Sequence, residues 1–176
     1  MRTLLSGFTQ GARIIDPEMR VINVVTGSFA DAQAGRAAAA KLLDQGASVL
    51  VTACGMGNAP ALQEIAARNA YAVALNTNKD GLLPGHVITS ILKHPDQAVH
   101  DIVASAVSGH FAGKEILVRD LRNGGVGLTD MAPFRAAAGK NYPQNMDRRL
   151  HELRSEILDG GVRLKSLRAR TLCDCL

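Results

Sequence analysis

Two polar clusters, each placed directly after an apolar segment, contain the residues of this chain that could bind a ligand. Residues 54–58 (CGMGN) follow the apolar run 49–53, and residues 76–80 (NTNKD) follow the apolar run 72–75. In open α/β sheets, ligands bind beyond the carboxyl ends of parallel strands, where glycine lets a ligand approach the backbone. The two clusters therefore predict where a ligand binds, although they leave its identity open.

The glycine-rich turn 54–58 precedes a predicted helix, so its backbone N–H groups could hold an anion or another polar ligand atom. A dinucleotide site of the G-x-G-x-x-G type needs a third glycine and, about twenty residues later, an acid that binds a ribose. In this chain Pro60 stands at the third glycine and Asn76 stands where the acid is needed. The turn is therefore a weak dinucleotide fingerprint, and a tight strand-to-helix turn without a ligand is the alternative.

The spacing of the reactive side chains does not indicate catalysis. Cys54 lies between a predicted strand and a predicted helix, a position that could lower the pKa of its thiol. No histidine stands close to it in the sequence, and the histidines show no triad or metal-ligand spacing. They are His86, His94, His100, His110 and His151. Paired carboxylates do not stand out either, so we predict a protein that is not an enzyme and uses no metal or cofactor.

Phe29 stands out because aromatic residues make up only 3% of the chain. It lies in a glycine-serine turn, after a predicted strand and before a predicted helix, outside the obvious core segments. At such a position its ring could stack on a flat ligand. The alternative is that Phe29 caps the edge of the core.

Length and composition favour one globular domain. The chain has 176 residues, of which 47% are hydrophobic and 20% charged, and this is enough for one domain with a core. Its formal net charge is +4, and arginine is frequent in residues 148–170. That segment lacks interleaved aromatic residues and any nucleic-acid-binding motif, so we predict a solvated helix with a basic terminus and no nucleic-acid partner.

Cysteine content and hydropathy restrict the cellular context. Cys173 and Cys175 form a C-x-C close to the carboxyl terminus, and together with Cys54 they make no disulfide framework. No segment approaches the ~18 apolar residues of a membrane span, and the first residues lack the apolar region of a signal peptide. We therefore predict no transmembrane segment, and a cytoplasmic location if Met1 is the true start.

Strands alternate with helices along the predicted chain. The predicted helices are 3–15, 31–45, 60–69, 96–108 and 149–158. The predicted strands are 21–25, 49–53, 72–75, 86–92 and 115–120, and 132–145 is predicted to be a loop. Alternation of this kind predicts an α/β fold in which a parallel sheet carries helices on both faces.

Six motifs in a fixed order resemble the BMP (basic membrane protein, or PnrA-like) family. They are GFTQGAR, VTGSFAD, DQGASVLVTACGMG, ALNTNKD, ITSILKHPDQAVHD and LRNGGVGLTD, between about residues 5 and 131. Members of this family are substrate-binding lipoproteins of ABC transporters that bind nucleosides or purines. The resemblance implies a periplasmic-binding-protein type I fold, in which two Rossmann-like lobes close on a ligand without catalysis. The partners it implies are the permease and ATPase subunits of a transporter.

The resemblance also implies a role for individual residues. An aromatic residue of the G-S-F turn contacts the base, and Phe29 matches it. The implied ligand-binding residues are Phe29, Gly55, Met56, Gly57, Asn76, Asn78 and Lys93. Asn76 and Asn78 occupy positions where two acids usually bond the ribose. Because an amide forms a weaker hydrogen bond than a carboxylate, we expect weaker ribose binding, or another ligand such as a free base.

The resemblance implies that this chain is mainly the second lobe, with the first lobe, signal peptide and lipid-attachment cysteine missing. Residues 1–131 form the ligand-binding lobe, with a crossover segment at 86–120, and residues 146–176 form a terminal helix and basic tail after the loop. The apolar face of helix 96–108 would then lack its partner. The family location is periplasmic and attached to the cell membrane. Two alternatives remain: a cytoplasmic ligand-sensing regulatory domain of the same fold, and a nucleotide-dependent enzyme.

Overall fold

The computed structural model describes residues 2–114 and 116–165, which form two compact units. Of these described residues, unit 1 contains 2–23 and 144–165, and unit 2 contains those between Val24 and Pro143. The helices are α1 (Arg2–Ile15), α2 (Ala32–Asp44), α3 (Asn58–Ala67), α4 (Pro95–Val107), α5 (Ala132–Ala138) and α6 (Met146–Leu158). The strands are β1 (Val49–Val51), β2 (Tyr71–Asn76), β3 (Val87–Lys93) and β4 (Val126–Leu128).

Unit 1 contains α1 and α6, which confirm the first and last predicted helices. The side chain of Gln10 on α1 accepts a hydrogen bond from the Lys165 N–H at 2.7 Å and donates to the Lys165 carbonyl at 3.1 Å. On α6, Arg148 and Arg149 both reach Glu152, with N···O distances of 2.8 and 3.5 Å. This pairing one turn apart is typical of a solvated helix surface.

Unit 2 contains a four-stranded sheet in the order β1-β2-β3-β4. The first three strands are parallel, and β4 runs antiparallel to β3. They confirm the predicted strands 49–53, 72–75 and 86–92, with ends shifted by up to two residues, and thus the α/β class. Residues 126–128 were not predicted to be a strand, because the segment is short and contains glycine.

Side chains on β2 alternate between the two faces of the sheet. Ala72 and Ala74 lie in the core cluster that α2 and α3 complete, which includes Leu62 and Ile65 of α3. Their small side chains let these helices pack closely on the sheet. On the other face, the ring of Tyr71 meets that of Phe134 on α5 edge-on, with centroids 5.9 Å apart. Helices therefore cover both faces of the sheet, as the sequence predicted.

Three predicted elements are wrong. Residues 21–25 and the described part of 115–120 are not strands. Val25 is 83% exposed and Ile116 is 91% exposed; an apolar run becomes a strand only when another strand pairs with its backbone. The predicted loop 132–145 contains α5, because Pro133 fits the first turn of a helix and Phe134 is buried.

Helix α4 has no buried residue. Val99, Val103 and Val107 are more than half exposed, and Ile102 is 38% exposed. Most of this apolar face is therefore exposed in the part of the chain that is described. No described helix is long and apolar enough to cross a membrane. Cys173, Cys175 and the end of the basic tail lie outside the described residues.

Candidate functional site

The glycine turn that follows β1 lies against the backbone of Phe29. The Met56 N–H donates a hydrogen bond to the Phe29 carbonyl oxygen at 2.8 Å. Gly55 has a φ of +61°, and a Cβ atom there would lie 2.3 Å from the same oxygen. Only glycine combines this left-handed conformation with so close an approach. The structure thus brings together the two glycine-containing turns that were predicted to bind ligand.

A second close contact connects this turn to helix α2. A Cβ atom on Gly35 would lie 2.3 Å from the Gly57 carbonyl oxygen, and one on Gly57 would lie 2.8 Å from the Gly35 Cα. Both glycines are buried. The turn therefore rests directly on the backbone of α2, which fixes its position.

Hydrogen bonds also fix the backbone on both sides of Phe29. The Thr26 hydroxyl donates to the Ser28 carbonyl at 3.0 Å, and the Ser28 hydroxyl accepts from the Ala30 and Asp31 N–H groups at 3.1 and 3.2 Å. Asp31 then caps α2, because its side chain accepts from the N–H groups of Gln33 and Ala34 in the first turn. The Phe29 ring itself is 64% exposed. A fixed backbone therefore presents a ring that has a free surface.

Cys54 does not have the environment of a reactive thiol. Its N–H and its Sγ both donate to Oδ1 of Asn58, at 2.9 and 3.3 Å. Burial is the main influence on this thiol and raises its pKa, although a backbone hydrogen bond opposes the shift. The suggestion that the start of the helix lowers this pKa is therefore wrong, because desolvation outweighs it.

Cys54 is accordingly expected to react more slowly with iodoacetamide at pH 8 in the native protein than in the urea-unfolded chain. A raised pKa leaves less thiolate, and the thiolate is the nucleophile. Mass spectrometry of the peptide that contains Cys54 separates its rate from those of Cys173 and Cys175. A native rate equal to the unfolded rate would contradict this description.

The polar cluster after β2 is held by its own hydrogen bonds. Asn76 ends the strand with a φ of +80°, a conformation that asparagine tolerates better than most residues. Asn78 Oδ1 accepts from the Asp80 N–H at 3.0 Å, and the Lys79 ammonium donates to the Leu75 carbonyl at 2.6 Å. Asn76 and Asn78 are exposed. This segment, residues 76–80, is called the tip below.

Asp80 and Ser90 form a buried pair that supports the tip, and nothing in the sequence alone marks them as a pair. Asp80 is 1% exposed and Ser90 on β3 is fully buried. The Ser90 hydroxyl donates to Asp80 Oδ1 at 2.6 Å and accepts from the Lys79 N–H at 2.9 Å. Asp80 Oδ2 is also buried and has no hydrogen-bond partner among the described residues. The one sequence signal was the polar pair Thr89 and Ser90 inside the mainly apolar strand β3.

Lys93 ends β3 and is exposed. The β2–β3 register sets Asn76 opposite Leu92, so Asn76 and Lys93 end neighbouring strands at one edge of the sheet. Cys54 follows the end of β1 at the same edge, because β1 runs parallel to β2. The structure therefore gathers all the predicted residues at the carboxyl edge, in two groups. Phe29 and the glycine turn are in direct contact, while the tip and Lys93 lie on the adjacent strands.

Two comparisons of the whole sequence identify relatives. Residues 1–162 match the Bmp family, described as PnrA-like substrate-binding proteins of ABC transporters. Basic membrane protein A of Borreliella afzelii is 24% identical over 160 residues, which is 89% of this chain and 47% of that protein. The chain thus spans about half the length of such relatives.

Solved structures share the fold. A solute-binding protein of an ABC transporter system from Aeropyrum pernix K1 superimposes with a TM-score of 0.76 and 22% identity, over 94% of this chain and 53% of that one. A transcriptional activator of the comK gene from Bacillus halodurans gives a TM-score of 0.73 and 19% identity, over 90% and 53%. The predicted fold class is therefore confirmed.

Proposed function

Because this chain belongs to the Bmp family of PnrA-like ABC-transporter substrate-binding proteins, we propose that its carboxyl edge forms one half of a cleft for purines or nucleosides. The family is one of substrate-binding proteins. The Cys54 thiol donates a hydrogen bond to Asn58. The described residues also contain no cluster of three or more side chains able to hold a metal ion.

The observation that carries this proposal is the presentation of Phe29. Its carbonyl accepts a hydrogen bond from the Met56 N–H, and the Ser28 hydroxyl accepts from the N–H groups of Ala30 and Asp31. The Phe29 side chain meanwhile stays open to solvent. A ring held in this way loses little conformational entropy when it stacks on a flat ligand. Stacking of a base on an aromatic ring is worth about 1–3 kcal/mol. Phe29 is therefore proposed to contact the base.

The glycine turn and the tip supply the remaining contacts in this proposal. Gly55, Met56 and Gly57 form the floor beside Phe29, and glycine lets a ligand approach the backbone. Asn78 and Lys93 offer polar groups at the ends of the next two strands. A purine or nucleoside has both a flat face and polar edges, so it matches this combination of surfaces.

The edge is open, so a second surface is needed to enclose a ligand. Ligand sites normally bury most of the ligand surface, whereas Phe29 and Met56 are both about two-thirds exposed. The chain covers 47% of Basic membrane protein A. We therefore propose that the other half of the cleft is a lobe like that in the longer relatives, and that this chain alone binds only weakly. The proposed partners are the transporter permease and ATPase, at the membrane surface.

Replacing Phe29 with alanine is expected to weaken adenosine and guanosine binding about tenfold, because the stacking contact is lost. Phe111→Ala is the matched control, since Phe111 is exposed to a similar extent, 59% against 64%. Phe111 follows the carboxyl end of α4, whereas Lys93 precedes the amino end of that helix. Dissociation constants from ligand-observed NMR test both. Equal loss in the two variants would contradict the role of Phe29, and absence of nucleoside binding by the wild-type chain would contradict the proposed function.

A regulatory role is the second candidate, in which the same edge senses a ligand inside the cell. The fold is shared with the comK activator of Bacillus halodurans, although this similarity concerns the fold alone. Co-purification separates the two candidates: a permease partner supports uptake, and a transcription-factor partner supports sensing. The pairing of Arg148 and Arg149 with Glu152 reduces the positive charge that α6 offers to nucleic acid.

A further inference from the structure

The tip is fixed by a buried carboxylate rather than by its exposed side chains. Asp80 accepts from the Ser90 hydroxyl at 2.6 Å, and the same hydroxyl accepts from the Lys79 N–H at 2.9 Å. The Ser90 N–H donates to the Thr129 hydroxyl at 2.9 Å, so Ser90 is itself anchored on both sides. The tip therefore presents its exposed groups in one arrangement.

In that arrangement the side-chain oxygen of Asn78 already accepts one hydrogen bond. A backbone N–H can bond only to an acceptor, so the atom 3.0 Å from the Asp80 nitrogen must be Oδ1 and not Nδ2. The Nδ2 group makes no hydrogen bond to any described residue and is exposed. Asn78 therefore offers a ligand two free N–H donors, beside an oxygen that already accepts one hydrogen bond. An aspartate here would keep the bond to Asp80 and offer an acceptor instead.

Two cationic donors lie at the same edge of the sheet as Asn78. The Lys79 ammonium uses one hydrogen bond on the Leu75 carbonyl and keeps two donors. Lys93 is exposed and forms no ion pair within the described part of the chain. The carboxylate of the tip belongs to Asp80, which is buried and bonded to Ser90. The tip and the neighbouring end of β3 thus carry two cationic side chains, while the one carboxylate of the tip is buried.

From this polarity we infer that the tip is a subsite for an anionic oxygen group carried by the purine ligand, such as the phosphate of a nucleoside monophosphate. Phosphate oxygens are acceptors only, so they match both Asn78 Nδ2 and the two ammonium groups. Ribose hydroxyls are neutral, so they carry no negative charge to pair with the ammonium groups of Lys79 and Lys93. This inference rests on the proposed function, because it assigns a ligand class to the same edge.

Titration of adenosine 5′-monophosphate and adenosine tests the inference. Wild-type protein is expected to bind the monophosphate about tenfold more tightly at low salt, since hydrogen bonds to charged groups are the stronger ones. Added salt should reduce this preference. Asn78→Asp is expected to abolish it while the protein stays folded, because an aspartate oxygen also accepts from the Asp80 N–H.

Asn69→Asp is the matched control. Asn69 is exposed, has a φ of +54°, and precedes the amino end of β2, at the opposite edge of the sheet. It introduces the same charge and should keep the preference for the monophosphate. Equal affinity for the two ligands in the wild-type chain, or equal loss in both variants, would overturn the inference and leave the proposed function intact. Failure of both ligands to bind would overturn the proposed function as well.

Discussion

Gly35→Ala is expected to lower the free energy of unfolding by about 2 kcal/mol, even though alanine is the better helix former by about 1 kcal/mol. The added methyl group would lie 2.3 Å from the Gly57 carbonyl oxygen. Gly35 and Gly57 are both buried, and the clash is with backbone rather than with a flexible side chain, so it cannot be relieved cheaply. Relief requires α2 and the glycine turn to separate, which disturbs the packing of α2 on α3.

Urea unfolding measures this loss, and Gly7→Ala on α1 is the control. A Cβ atom on Gly7 would meet nothing within 4 Å, so that substitution is expected to be neutral or to stabilise by up to about 1 kcal/mol. Similar effects of the two substitutions would show that Gly35 and Gly57 are not in close contact. Because the same turn carries the Met56–Phe29 hydrogen bond, Gly35→Ala should also weaken nucleoside binding.

Ser90→Ala is expected to destabilise the protein by about 3 kcal/mol, because it removes the hydrogen bond to a buried carboxylate. Oδ2 of Asp80 already lacks a partner among the described residues, so the substitution leaves both oxygens of Asp80 without a side-chain donor. The Lys79 N–H loses its acceptor in the same step.

The double variant Asp80→Ala with Ser90→Ala separates this mechanism from a packing defect. Removing both partners is expected to cost less than the sum of the single substitutions, since no unpaired carboxylate remains. Ser108→Ala serves as an exposed serine control and should change stability by no more than about 0.5 kcal/mol. Additive losses in the double variant, measured by urea unfolding, would contradict the hydrogen-bonded pair.

The sequence predicted the strands and helices of the 48–80 segment well, because apolar runs bounded by glycine report local preference and burial together. It predicted residues 21–25 wrongly because the same apolar character says nothing about whether a pairing strand is available. Residues 116–120 fail for the same reason. In each case the missing information is a contact between distant parts of the chain.

The position of the candidate site was predictable from the sequence, but the donor or acceptor character of its polar groups was not. Phe29 and the glycine turn follow from their position between a strand and a helix, and the structure brings them into contact. The state of Asn78 was not predictable, because it depends on whether the Asp80 N–H bonds to its side-chain oxygen, a contact that only the structure shows. Asp80 was also missed, since an acid in a polar segment is usually exposed, and only Ser90 on a neighbouring strand explains its burial.

The position of Gly35 within an alanine-rich helix is a sequence signal of close packing. A glycine within an alanine-rich helix costs about 1 kcal/mol relative to alanine, so it usually has a packing reason. The structure supplies that reason in the contact with Gly57. Composition alone cannot name the partner, because the two residues belong to different elements.

Chemical-shift mapping in the ¹⁵N-labelled protein during a titration with adenosine, and separately with its 5′-monophosphate, tests the central claim most directly. We expect the shifts to concentrate at the carboxyl edge of the sheet, including the backbone amides of Phe29, Gly55 and Asn78. Amides at the opposite edge, such as Asn69, and beyond α4, such as Phe111, should stay unchanged. Shifts centred on those distant residues, or none with ligand at about 10 mM, far above a millimolar dissociation constant, would contradict it.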